Sequence, residues 1–139
     1  MSAPAVAVSA DGKKFAAAWK DIRAGEPNVY WVISDKPRFG RDALVHERTE
    51  GRQDHPSLAI DRGGTVWVAW EDNRGGSRRI WVRSSQAADK GRAISDLGES
   101  PANYPVVVAG DGLVAVAYES GQRRQKTIQF RLLATESGN

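Results

Sequence analysis

Three short polar groupings hold the side chains best suited to chemistry. In "GRQDH" (Gly51 to His55), Arg52, Asp54 and His55 fall within four positions of one another. An aspartate beside an imidazole can move a proton near neutral pH, although such pairs more often just hold a loop. The other two groupings repeat one spacing, Asp21 with Arg23 and Asp72 with Arg74. A guanidinium in such a pair can take a ligand carboxylate through two parallel hydrogen bonds. It can equally close on its own aspartate, because turn aspartates bond their local backbone. Recurrence at matching places favours the second role, since a shared turn needs the same residues each time.

Metal and thiol chemistry find little footing. The chain has no cysteine, and its two histidines, His46 and His55, do not form a spaced ligand pair. No metal and no cofactor is implied, and no residue stands out as catalytic. The 139 residues carry 20 basic and 17 acidic side chains, a net charge of +3, with the signs interspersed. A dedicated nucleic-acid binder would show a denser basic stripe. No apolar run reaches the length of a membrane span, and "MSAPAVAVSADG" does not read as an intact signal peptide. Neither nucleic acid nor a membrane is therefore an expected partner.

The elements that must position these residues come from a repeat. Pro4, Pro56 and Pro105 stand about 50 residues apart, and each opens the same succession. A short apolar strand comes first (Val6, Val8; Leu58, Ile60; Val107, Val108). A turn rich in Asp and Gly follows at Asp11-Gly12, Asp61 to Gly64 and Gly110 to Gly112. The next strand alternates and ends on a ring: Phe15, Ala17, Trp19; Val66, Val68, Trp70; Val114, Val116, Tyr118. Its other face carries Ala16, Trp67 and Ala115, so cover on both sides is expected, with Trp19 and Trp70 the safest core rings. A third strand reads "NVYWVIS", "RIWVRSS" and "TIQFRLL". A weaker fourth segment follows only twice, near Ala43 to His46 and Ala93 to Ser95. The run "RRQK" from Arg123 reads as a solvated loop.

Repeats of this length, each with three or four short antiparallel strands, predict an all-β chain of three β-propeller blades. Blade 1 is expected at about 4–48, blade 2 at about 56–97 and blade 3 at about 105–133, the last without its fourth strand. Propellers close with about four to eight blades, so three would leave two apolar faces in water. Two completions are open: a second copy of the chain joined head to tail into six blades, or further blades of a longer parent protein. The arithmetic favours the homodimer.

"FAAAWKDIR" and "VWVAWEDNR", each followed by a strand ending in Ser, resemble the blades of sialidase-like, BNR-repeat propellers. The resemblance runs over essentially the whole chain. Where that superfamily often carries an Asp box, Ser-x-Asp-x-Gly-x-Thr-Trp, this sequence has "SDKPRFG" after Ser34 and "SSQAADKG" after Ser84, so the boxes are eroded. The resemblance implies a half of a six-bladed ring, an extracellular or periplasmic setting, and ligands on one rim near the axis. Glycosidase chemistry in the family uses an arginine trio and a tyrosine nucleophile. Arg23, Arg52 and Arg74 could imitate the trio, but Tyr118 aligns with core tryptophans. The expected role is accordingly a non-catalytic binding or scaffold module for a glycan, a protein or an anionic group. The alternative is a fragment of a sialidase-like glycoside hydrolase. Blade topology gathers the candidate ligand residues on one rim: Asp21, Arg23, Arg52, Asp54, His55, Asp72, Arg74 and Tyr104.

Overall fold

In the computed structural model, which describes residues 2–35, 40–47, 50–96 and 100–135, every regular element is a strand. The first sheet holds β1 (Ala5–Val8), β2 (Phe15–Asp21), β3 (Asn28–Ser34) and β4 (Ala43–Leu44) in that spatial order. The second holds β5 (Gln53–Ile60), β6 (Val66–Asp72), β7 (Arg79–Ser84) and β8 (Arg92–Ala93). The third holds β9 (Ala102–Ala109), β10 (Leu113–Gln122) and β11 (Gln125–Ala134). All neighbours are antiparallel, so each sheet is a meander. These are the three propeller blades that the repeat predicts.

Local chemistry explains the hairpins. Between β5 and β6, Asp61 accepts the Thr65 N–H at 3.0 Å through one carboxylate oxygen and the Trp67 indole N–H at 3.0 Å through the other. The aspartate thus ties the turn to the strand that follows it. The third blade departs from this economy at its second hairpin. Where blades 1 and 2 have Asp21 and Asp72, blade 3 has Ser120, and the β10–β11 ladder runs on to Gln122 opposite Gln125. Arg123 and Arg124 form the two-residue turn, with Arg123 at φ 43°. The "RRQK" stretch is therefore half turn and half strand, because no aspartate ends the ladder early.

The sheets stack face to face through two apolar cores. One joins Ala16, Ala18, Val29 and Trp31 of blade 1 to Leu58, Val66, Val68 and Trp70 of blade 2. The other joins Trp67, Ala69, Ile80 and Val82 of blade 2 to Val107, Val114, Val116 and Tyr118 of blade 3. Every residue of β6 is consequently buried, because that strand has a blade on either side. Trp70 and Tyr118 are fully enclosed, whereas Trp19, at the same repeat position, is only half-buried. Among the described residues no further sheet lies in front of blade 1, so its ring loses the cover that the other two have. Trp31 and Trp67 are buried core rings as well.

Ile80 lies at the centre of the second core with no exposed surface. Ile80→Ala should cost about 3 kcal/mol, the range for emptying a branched side chain from a packed interior. Denaturant unfolding checks this; a loss below about 0.5 kcal/mol, the size of a surface change, would mean that blades 2 and 3 are not packed together as described.

Candidate functional site

Strand β5 touches β1, β2 and β9, so the first strands of successive blades line the inner wall of the stack. Their starting ends meet the finishing ends of the second strands, and the predicted rim is built there. The loop into β5 is clamped onto the turn after β6. Arg52 donates its N–H to Asn73 Oδ1 at 2.6 Å, and Asn73 returns its own N–H to the Arg52 carbonyl at 3.1 Å. Gly51 permits this approach: at φ +72° a Cβ there would sit 2.5 Å from Asn73 Oδ1 and 3.0 Å from the Arg74 backbone.

Just inside the loop, β5 bulges between Asp54 and Ser57, and β9 breaks register against β10 beside Asn103. Each irregularity places the residue before the repeat proline in the left-handed region, His55 at φ 48° and Tyr104 at φ 53°. Non-glycine residues seldom sit there and must be held. Glu71, 3% exposed, holds both of them. Its Oε2 lies 2.5 Å from His55 Nδ1, and its Oε1 accepts the Tyr104 N–H at 2.9 Å. The His55 ring also meets the Tyr104 ring edge-on, with centroids 4.8 Å apart.

The chain of contacts continues into blade 1. Asp54 accepts the His55 N–H at 2.7 Å on one oxygen and Lys20 Nζ at 3.1 Å on the other. Burial alone would raise its pKa, but these bonds outweigh that effect and hold the carboxyl below its ordinary value. Lys20, Asp54, His55, Glu71 and Tyr104 therefore form one polar line across all three blades. Its exposed member is Tyr104, at 52%, and Arg52 on the loop that leads into β5 is exposed as well.

The two Asp-x-Arg pairs do something else. Asp72 accepts the Arg74 backbone N–H at 2.9 Å, its guanidinium at 2.6 to 3.0 Å, and the Trp70 indole N–H at 3.0 Å. The Arg74 guanidinium lies 3.9 Å over the Trp81 ring. Blade 1 repeats the device: Asp21 takes the Arg23 N–H at 2.8 Å and its guanidinium at 2.6 to 2.9 Å, and Arg23 lies 4.3 Å over Tyr30. Arg23 also reaches Asp42 at 2.8 Å. The forks are filled from within, each clamping the turn it belongs to. Arg23 holds the Asp21 carboxyl down to about 2. Burial works to raise Asp72, but Arg74 and the indole N–H outweigh it, so its pKa too is lowered.

Of the sequence candidates, Asp54, His55 and Tyr104 come together, Arg52 stands beside them, and Asp21, Arg23, Asp72 and Arg74 remain local clamps. Lys20 and Glu71 were missing from the candidates. Their signal was present: Lys20, Glu71 and Glu119 occupy one repeat position, directly after the ring in a strand whose pattern predicts cover on two sides. A charge there must find a partner.

No protein-family model and no curated protein matches the chain. Among solved structures, a TolB candidate from Agrobacterium tumefaciens is similar, with a TM-score of 0.58 and 22% identity over 96% of this chain. The chain spans 46% of that structure, about half its length. The likeness is one of fold, and it corrects the sialidase-like assignment, since it points to a different family of propellers. The physical reason for the misreading is now visible. "AW-x-D-x-R" is a clamp of indole, carboxylate and guanidinium that ends a hairpin, and any blade with that turn can use it.

Both clamp aspartates are depressed, so each stabilises the fold above its unfolded pKa of about 4 and ceases to do so as pH falls through its folded value. Stability should drop between about pH 4 and pH 2, the window of Asp21. Asp72→Asn should cost about 2 kcal/mol at pH 7 by weakening a buried charged pair, and the difference from wild type should shrink near pH 2. Urea midpoints at the two pH values read this out; an unchanged midpoint at pH 7 would contradict the clamp.

Proposed function

We propose that the chain is a non-catalytic propeller module that binds an anionic ligand carrying a flat or apolar group on the rim formed by Arg52, Asp54, His55 and Tyr104. The observation that carries this reading is the half-exposed Tyr104 ring, fixed at a left-handed φ by a buried carboxylate. Backbone strain of this kind clusters where a side chain must be presented in one orientation. Arg52, on a loop anchored at its backbone, adds a cation to the same edge. An aromatic surface and a guanidinium on one rim suit a ligand that carries a negative charge and a ring or alkyl group.

The acid–base groups argue for binding over turnover. Asp54 is occupied by Lys20 and by the backbone of His55, and the Nδ1 of His55 is turned onto Glu71. These groups are taken up in holding the rim, so Glu71 and Asp54 are positioning residues in this scheme. A glycan, an acidic peptide or a small carboxylate meets the same chemical description.

Titration calorimetry against acidic peptides, uronate oligosaccharides and small aromatic carboxylates tests it. Tyr104→Ala should weaken the best binder about tenfold, the scale of one aromatic contact. Arg52→Ala should weaken it and flatten its salt dependence. A binder indifferent to both substitutions would place the site elsewhere and defeat the proposal.

A further inference from the structure

Corresponding positions of the three blades differ sharply in exposure, and the differences follow a rule. On the face that each blade turns toward its successor, Val29 and Ile80 are fully buried while Ile128 is 58% exposed. One step along the same face, Trp31 and Val82 are buried and Phe130 is 66% exposed. On the face turned toward the predecessor the order reverses: Val6 is 66% exposed, while Leu58 and Val107 are buried. The trailing face of blade 3 and the leading face of blade 1 are thus repeat copies of surfaces that mate twice within the chain. The leading face of blade 1 also offers a shallow cleft floored by Ala17, Trp19 and Val32.

Blade 1 departs from the repeat on its leading face. Arg83 of blade 2 grips the Val45 carbonyl in the fourth segment of blade 1 at 2.5 Å. Arg131 of blade 3 grips the corresponding Ile94 carbonyl of blade 2 at 3.3 Å. Blade 1 has Val32 at that position, and among the described residues blade 3 has no fourth strand. Val32 therefore leaves the leading face of blade 1 apolar where blades 2 and 3 carry a guanidinium.

We infer that a second copy of this chain seats its blade 1 on the trailing face of blade 3, and that the reciprocal contact closes a two-fold ring of six blades. The junction keeps the internal register. Within the chain, Val107 donates its N–H to Ser57 Oγ at 3.0 Å, joining the second residue after one repeat proline to the first residue after the preceding one. The same step carried past blade 3 brings Val6 of one copy against Val106 of the other, both exposed in the single chain at 66% and 57%. A head-to-tail contact gives a ring when its rotation closes and a fibre when it does not, and two copies of three blades would complete a ring of six. The inference rests on the blade packing and is independent of the rim ligand.

The absence of cysteine makes the test clean. Under mild oxidation Val6→Cys/Val106→Cys should form a covalent species of two chains, while either single variant should form little. Sedimentation of the unmodified chain at tens of micromolar should give twice the 15.1 kDa chain mass. That second measurement needs no substitution and stands if the cysteine variant folds poorly. A 15.1 kDa monomer in sedimentation, a ladder of larger species, or a double variant that crosslinks no better than the singles would each overturn the inference.

Discussion

Each sheet in this protein has two apolar faces, and a sheet with two apolar faces can only be stable between two neighbours. This constraint sets the rest. It makes β6 buried at every residue, places Trp70 and Tyr118 beyond reach of water, and leaves Trp19 half-covered although its sequence context is nearly the same. Burying a Val, Leu, Ile or Phe side chain contributes about 2 kcal/mol. Ile128, Phe130 and Leu132, each more than half exposed, show how much of that contribution a three-blade stack leaves unclaimed.

The polar architecture is the consequence at the inner strand ends. A strand covered on two sides has no room for an unpaired charge, yet β6 ends on Glu71 and Asp72. Asp72 turns inward to its own hairpin and closes it with Trp70 and Arg74. Glu71 points at the next blade and uses its oxygens on two residues of unusual backbone, His55 and Tyr104. Adjacent carboxylates on opposite faces of one strand thus take different work, one holding a turn and the other linking blades at the rim. The same alternation puts Lys20 against Asp54 one blade earlier.

Much of the fold was legible because the repeat is spelled out in residue types. The proline phase, the Asp-Gly turns and the alternating second strand gave the three sheets and their order of strands. The length of β11 was not legible, since it depends on Ser120 failing to end a ladder that aspartate ends elsewhere. Nor were the left-handed residues before the prolines, because His and Tyr advertise no such conformation; only the bulge in three dimensions reveals it. Arg52, Asp54 and His55 were found as residues that blade symmetry does not demand. Glu71 was overlooked because it sits in a strand read for its apolar pattern. The sialidase-like reading failed for a related reason: a turn clamp was taken as the mark of a family.

The central claim is that folding and the sealing of exposed blade faces are coupled. The most direct measurement is the thermal midpoint of the chain over a hundredfold range of protein concentration. If the faces close on a second copy, mass action requires the midpoint to rise steadily with concentration. A midpoint that stays constant across the range would contradict the account, because it would mean that the three blades are stable with their apolar faces in water.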